Sequence, residues 1–197
     1  VQVDFDFGLD NTHMRMFALG EEGRTVYQLD AEKNFRHHIP ELADVRVPTV
    51  LLRQKGEAWD HPFVTVYEPY GNGAESSIVK VHTMKTKKQT GVVKFTVEHL
   101  SQKKEHILYS ISPDMAANYQ GISLKGNYAV VSLDKEILSS VYIAGGHFFK
   151  MKGLSISSLS GQPFNAWLEW KDGAFVCTSD QELEISSDYK INTIVKK

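Results

Sequence analysis

The stretch AWLEWKDGAFVCTS, residues 166–179, indicates an antiparallel β fold. In an extended chain successive side chains point to opposite faces, so Trp167 faces away from Leu168 and Trp170. The Lys-Asp-Gly segment that follows is typical of a turn, and GAFVCTS then resumes an extended pattern. Together with ELEISS, residues 182–187, these runs predict a hairpin-like end of a β domain.

The same period of two recurs along the chain in VQVDFDF (1–7), IVKVHT (78–83) and VVKFTVEHL (92–100). Turn signals, among them 125–127 and Gly145–Gly146, follow one another at intervals of about ten residues, which is typical of sandwiches and barrels. We therefore predict an all-β fold, an antiparallel β-sandwich with very little helix, and a single domain over residues 1–197.

Two segments interrupt this pattern. The segment SPDMAANYQ, residues 112–120, is a candidate for a short helix that Ser112 or Asp114 caps. The segment DAEKNFRHHIPELADV, residues 30–45, contains Pro40, which breaks a helix. We interpret it as a loop that crosses between sheets.

Composition excludes several classes of function. The formal charge is −2, from 22 basic and 24 acidic residues, so a broad basic surface for nucleic acid or anionic membrane is not expected. No apolar run is long enough to span a bilayer. The one cysteine, Cys177, cannot form an internal disulfide and is interpreted as a core residue of a strand.

No motif predicts a catalytic, cofactor or metal site. Of the eight histidines, His37 and His38 are adjacent and point apart on a strand, whereas His99 and His106 could approach each other across a hairpin. Metal sites need at least three convergent ligands, and no such spacing occurs. Neither a Gly-x-Ser-x-Gly elbow nor a phosphate-binding glycine loop before a helix is present.

Two groups of residues leave alternatives open. One is a set of aromatic residues that could form sugar-stacking platforms or simply fill the core: Trp59, Tyr70, Tyr128, Trp167 and Trp170. The other is a set of lysines, for which protection of strand edges is favoured over a patch for acidic polysaccharide: Lys80, Lys85, Lys87, Lys88, Lys94, Lys103 and Lys104.

The segment EAWDHPFVTVYEPYGNG, residues 57–73, is rich in aromatic residues and contains Glu68. Its alternation predicts a strand bounded by Pro62 and Pro69. Glu68 is then expected to anchor a turn or to pair with an arginine such as Arg53, and not to transfer protons.

Residues 48–70, PTVLLRQKGEAWDHPFVTVYEPY, resemble the C-terminal β-sandwich region of bacterial heparinase II/III-like polysaccharide lyases. The resemblance rests on a strand that ends in Arg53 and on the pattern W-x-x-P-F-V-x-V-x-E-P. It also includes Ser77, Ile78 and Val81, and a preceding hairpin MRMFALGEEGRTVYQLDA. It covers residues 14–82.

The resemblance implies a parent enzyme in which an N-terminal α/α toroid precedes the β-sandwich. Such enzymes cleave uronic-acid-containing glycans by β-elimination, and no catalytic residue of the family maps onto this chain. We therefore expect an excised, accessory C-terminal module that is inactive alone, whose parent is periplasmic or secreted. Its expected partners are the toroid and acidic polysaccharide.

The residues expected to contact glycan or the neighbouring domain are Arg53, Trp59, His61, Glu68, Tyr70 and Trp170. The alternative is a stand-alone carbohydrate-binding module, with Trp59, Tyr70 or Trp170 as the stacking platform. A purely structural sandwich without a ligand is a third hypothesis. No cofactor and no metal are expected.

Overall fold

The structure is a computed structural model that describes residues 1–6, 12–32, 46–71, 73–84 and 89–195. These residues form β-strands and no α-helix, which confirms the predicted all-β class. Accordingly, the described part of the chain contains no helix that could cross a membrane. The strands are β1 (Gln2–Asp6), β2 (His13–Ala18), β3 (Thr25–Glu32), β4 (Arg46–Arg53), β5 (Thr65–Tyr70), β6 (Ile78–His82), β7 (Val92–His99), β8 (Lys103–Ser110), β9 (Ala116–Tyr119), β10 (Ile122–Asp134), β11 (Ile137–Met151), β12 (Leu154–Ser158), β13 (Phe164–Lys171), β14 (Ala174–Ser179), β15 (Leu183–Ser187) and β16 (Ile191–Val195).

Contacts divide the chain into two compact units. The smaller unit, Gly20–His61, contains the antiparallel pair β3–β4. The larger unit, Val1–Leu19 with Pro62–Lys197, contains a three-stranded sheet in the order β1-β2-β5 and an eleven-stranded sheet. The single domain expected over residues 1–197 stays a prediction.

The large sheet is built around two long strands, β10 and β11, which are interrupted by glycine. The pairing register between them shifts after Lys125, and the pairing of β11 with β13 shifts between Ile143 and Gly146. A Cβ on Gly126 would lie 2.7 Å from the Cα of Gly146, so the two backbones approach more closely here than side chains allow. The turns predicted at 125–127 and 145–146 are therefore wrong, because glycine inside a strand marks a bulge or bend.

Because of these register shifts, the side chains that point into the core change parity along the strand. Residues before and after the shift therefore contribute to the same core. In β10 the buried positions Ile122 and Leu124 precede the register shift, and Ala129 and Val131 follow it with the opposite parity. The first half of β10 pairs with β9, while the second half pairs with β8. The resulting core cluster joins residues of the strands from β7 to β14, an arrangement like a β-sandwich.

A second core cluster lies on the opposite face of the same large sheet. Phe17 of β2 and Val66 of β5 pack with Ile78, Val97 and Ile107 of β6, β7 and β8. The three-stranded sheet therefore covers the β6–β7–β8 part of this face, which we call the outer face.

The helix considered for residues 112–120 is wrong. Residues 116–119 form strand β9, which pairs with β10. Ala117 and Tyr119 are buried and alternate with exposed neighbours, so burial at a period of two overrides the weak helix signal. The predicted loop over residues 30–45 falls mostly outside the described residues; β3 extends to Glu32 and β4 begins at Arg46.

The strand predicted between Pro62 and Pro69 begins later and ends later than expected. It runs from Thr65 to Tyr70 and includes Pro69, which lies opposite Met14 of β2. Since β5 is an edge strand of its sheet, a proline there removes no hydrogen bond that the sheet requires.

Candidate functional site

A cleft of about 700 Å³ lies beside the ends of strands β2 and β5. These strands contribute His13, Arg15 and Tyr70 to its lining. Gly71, residues 73–76 and the start of β6 contribute further groups, most of them small or polar, and Leu100 adds an apolar side chain. The cleft thus combines a cationic, an imidazole and an aromatic side chain within one concave surface.

Strand register explains why His13 and Tyr70 meet in the cleft. Asp6, His13 and Tyr70 lie directly opposite one another on β1, β2 and β5. The imidazole stacks on the phenol ring with centroids 5.2 Å apart and planes inclined by 25°. Nδ1 of His13 lies 3.7 Å from Oδ1 of Asp6. The imidazole and phenol rings are therefore stacked on each other at the cleft wall.

Arg15 lies in the next cross-strand row, between Asp4 and Glu68. Its Nε donates to Oδ1 of Asp4 at 2.5 Å and its Nη2 to Oδ2 at 3.3 Å, while the guanidinium lies 5.6 Å from the Tyr70 ring centroid. The hydrogen bond from Arg15 lowers the pKa of Asp4. The positive charge of Arg15 is consequently balanced within the protein.

Glu68 anchors the segment that leads into β6. Its carboxylate accepts hydrogen bonds from Oγ of Ser76 at 2.5 Å, from N and Oγ of Ser77 at 2.6 and 2.7 Å, and from N of Ile78 at 3.1 Å. Partial burial raises the pKa of Glu68, but these hydrogen bonds outweigh it and hold the pKa below its usual value. The partners of this carboxylate are therefore Ser76 to Ile78, which lead into β6, and not Arg53. The expectation that Glu68 has a structural, anchoring role is met at this segment.

Three of the predicted contact residues lie in the smaller unit. Arg53 is exposed at the end of β4, and Trp59 is exposed in the turn that follows. Nδ1 of His61 lies 2.6 Å from Oε1 of Glu21, and the other oxygen of this carboxylate binds Arg24 at 2.9 Å. His61 is thus part of a local cluster with Glu21 and Arg24.

Trp170 lies at a second cavity of about 290 Å³, at the end of β13. Its ring meets Phe175 edge-on with centroids 5.1 Å apart, and Phe175 meets Tyr189 in the same way at 5.3 Å. Lys135 and Ile137 also line this cavity. The structure therefore places Tyr70 and Trp170 in separate cavities, and they form no common platform.

Two reactive side chains elsewhere in the larger unit, those of Cys177 and His106, are buried in the fold. Burial raises the pKa of the Cys177 thiol to about 11, which leaves it protonated and inert at neutral pH. His106 points into the core, where its Nδ1 lies 2.9 Å from Oγ1 of Thr96, which also contacts the hydroxyl of Tyr119. Burial lowers the pKa of His106. These groups stabilise the core.

The described lysines of the predicted basic group mostly contact protein oxygens. Lys94 donates to the carbonyl of Asn118 at 3.3 Å, Lys103 pairs with Glu105, and Lys104 pairs with Glu136. Lys80 is exposed, while Lys85, Lys87 and Lys88 lie outside the described residues. Among the described residues no three metal-ligating side chains converge.

The structure also reveals an aromatic cluster that the sequence did not assemble. Tyr128 and Trp167, which the sequence offered as candidate stacking residues, both contact Tyr142 edge-on. Tyr142 was not among those candidates. The alternation around it, SSVYIA, places it on the face opposite the buried Val141 and Ile143. The alternation of side chains in the sequence could have identified the face on which Tyr142 lies. Its contacts with Tyr128 and Trp167 depend on strand order, which the alternation does not give.

Comparison with known families matches the central part of the chain to a described domain. Residues 78–169 match the model described as endo-acting ulvan lyase C-terminal domain. No curated protein matches the chain. The matched range runs from the start of β6 into β13 and overlaps the earlier heparinase-like segment, residues 14–82, only at 78–82. This part of the chain is therefore similar to a polysaccharide lyase C-terminal domain, with nothing specific to heparinase II/III.

Proposed function

We propose that this chain is an accessory β-sandwich module of a polysaccharide lyase that acts on uronic-acid-containing glycans. The observation that carries the proposal is the match of residues 78–169 to a lyase C-terminal domain. In this proposal the module supports a catalytic domain and contributes surface to glycan binding, and it does not cleave glycan by itself.

The chemistry of the cleft supports a role without catalysis. β-Elimination needs a base for the C5 proton, a cationic or hydrogen-bonding group for the uronate carboxylate, and an acid for the leaving oxygen. Arg15 is the residue type that binds a carboxylate, but it already makes two hydrogen bonds to Asp4. Asp6 and Glu75 also lie at or near the cleft, so the site does not favour the carboxylate of a bound uronate.

In this proposal the partner is an N-terminal α/α toroid of a heparinase II/III-like parent. The parent would be periplasmic or secreted, because polysaccharide substrates are encountered outside the cytoplasm. Arg53, Trp59 and His61 remain the residues proposed for interdomain or glycan contact in the smaller unit.

The test is an elimination assay with the purified chain and soluble polyuronates such as alginate and polygalacturonate. We expect no absorbance from an unsaturated uronate product, while an active lyase under the same conditions gives a rising signal. Product formation that depends on His13 or Tyr70 would overturn the accessory role and make the cleft an active site.

The second candidate is a stand-alone carbohydrate-binding module, favoured by the ring surface of Tyr70 within the cleft. Calorimetric titration with acidic and neutral oligosaccharides tests it. Tyr70→Ala should abolish binding, whereas Tyr67→Ala should not, because Tyr67 is an exposed residue of the same strand and does not line the cleft. Equal effects of the two substitutions, or no binding at all, would count against this candidate.

A further inference from the structure

The outer face of the large sheet carries aromatic side chains where the core face carries aliphatic ones. In β11, Val141 and Ile143 are fully buried in the core, whereas Tyr142 between them points to the outer face. In β13, Leu168 is fully buried and Trp167 lies on the outer face. The same alternation places Tyr109 and Tyr128 of β8 and β10 on this face.

Strand register brings these four residues into one row, Tyr109–Tyr128–Tyr142–Trp167, which we call the aromatic row. Tyr109 lies directly opposite Tyr128, and Tyr142 directly opposite Trp167. Tyr128 and Tyr142 are diagonal neighbours, with ring centroids 6.1 Å apart, and Tyr142 and Trp167 are 5.9 Å apart. Since the row crosses three strand spacings of about 4.8 Å, it extends over roughly 14 Å.

The aromatic row continues a part of the outer face that is already covered. Ile107 and Val130 lie in the cluster that packs under the three-stranded sheet, and Val130 is directly opposite Tyr142. Beyond this cover, Trp167 is 49% exposed, Tyr142 37% and Tyr109 38%. The covered part is apolar and includes the rings of Phe17 and Phe95, and Tyr128 packs against its edge. The part beyond the cover consists of rings that have polar atoms. Such rings suit a ligand that stays hydrated at its edges.

A row of polar residues runs beside the aromatic row. Glu105, Ser132, Ser140 and Glu169 lie opposite one another in order on β8, β10, β11 and β13. The two carboxylates are balanced by lysines of their own strands: Glu105 by Lys103 and Glu169 by Lys171, each at 2.7 Å. Ser132 is buried, so the groups of this row that reach the surface are Ser140 and the two carboxylates, which are partly exposed. They can form hydrogen bonds and carry no strong net charge. They complement a hydroxyl-rich ligand better than a polyanion.

We propose that the aromatic row binds a soluble glycan chain by stacking its sugar rings on Tyr109, Tyr128, Tyr142 and Trp167. This proposal rests on the proposed function and deepens it, since the whole row lies within the range matched to a lyase C-terminal domain. Neighbouring rings are inclined by 65° and 67°. The rings therefore do not form one flat surface, which fits a single soluble chain better than the flat face of a solid polysaccharide.

The aromatic row shares no residue with the cleft that contains Arg15 and Tyr70. Binding there would depend on uncharged ring faces and hydroxyl groups, so added salt should change it little. A site whose affinity comes from Arg15 would instead weaken with salt, because exposed charges are screened. Salt dependence therefore separates the two surfaces.

The experiment is calorimetric titration of the full chain at low and high salt. Soluble xylan is the hydroxyl-rich probe expected to bind, and alginate and polygalacturonate are the polyanions for comparison. Trp167 and Trp170 form a matched pair, because both lie on β13 and both are 49% exposed. We expect Trp167→Ala to weaken binding by about tenfold or more, and Trp170→Ala and Arg15→Ala to change it by less than about twofold. Tyr142→Ser serves as a second variant if Trp167→Ala does not fold.

Several results would overturn the proposal. They are a lack of binding to all three polysaccharides, equal effects of the two tryptophan substitutions, or affinity that falls steeply with salt and depends on Arg15. Self-association that Trp167→Ala abolishes would assign the aromatic row to a second copy of the chain. Elimination activity in the assay above would instead refute the accessory role and leave this site intact.

Discussion

The large sheet has a core face, which packs into the main core cluster, and the outer face opposite it. In strands β10, β11 and β13 the two faces have opposite properties although neighbouring residues of the same strands form them. On the core face, Val141, Ile143 and Leu168 are fully buried by the other half of the folded sheet. On the outer face, Tyr142 and Trp167 remain well exposed. One face therefore determines stability, and the other is available for recognition.

The largest expected effect is a difference in stability between substitutions at two adjacent residues of β13, one on each face. Leu168→Ala should lower the free energy of unfolding by about 2–5 kcal/mol, because it leaves a cavity in a closed core. Trp167→Ala should lower it by less than about 1.5 kcal/mol, since it removes mainly the edge contact with Tyr142. Urea unfolding of both variants measures the difference.

Leu159→Ala is the control for the leucine change, because Leu159 is largely exposed. Comparable losses at Leu168 and Leu159 would contradict the assignment of the core face. A loss at Trp167 as large as that at Leu168 would mean that the outer face is covered in solution.

A smaller effect is expected where the sheet bends to create the core face. Gly126→Ala should destabilise the protein by about 1–3 kcal/mol, because the added Cβ would overlap the backbone of Gly145 and Gly146. Thermal unfolding measures the loss. Gly20→Ala is the matched control, since a Cβ there meets no atom within 4 Å. If Gly126→Ala were as stable as Gly20→Ala, the close approach of β10 and β11 would be wrong.

The smallest effect concerns Glu68 of β5, which binds the three-stranded sheet to the residues that lead into β6. That sheet covers the β6–β7–β8 part of the outer face. Glu68→Gln should cost about 1.5 kcal/mol, near the lower end for hydrogen bonds to a charged group, because Glu68 is partly exposed. The pKa of Glu68 is lowered in the folded state, so its contribution is present above the ordinary value of 4.5 and is lost as pH falls through the lowered value.

The stability difference between wild type and Glu68→Gln should therefore be full at neutral pH and shrink in acid below pH 4.5. Chemical unfolding across this range measures it. Glu184→Gln is the control, because the hydrogen bond that Glu184 accepts from Ser157 is long, at 3.4 Å. A difference that does not change with pH would mean that Glu68 contributes by packing and not by its charge.

Much of the fold could be predicted from local sequence, because burial of one strand face imposes a period of two. The opposite faces of Trp167 and Leu168, the core position of Cys177 and the structural role of Glu68 all follow from that pattern. The candidate site was less predictable. Tyr70 was identified, but Arg15 and His13 join it only because β2 pairs with β5 across more than 45 intervening residues.

The sequence by itself determined the all-β class and the face of each strand residue, since both follow from side-chain alternation within a few residues. Only the tertiary structure decided that Gly126 and Gly146 bend long strands and do not form turns. Glycine permits both conformations, and the choice depends on a strand about twenty residues away. Tertiary structure likewise assembled the aromatic row, because strand order, which no local pattern encodes, determines which rings become neighbours.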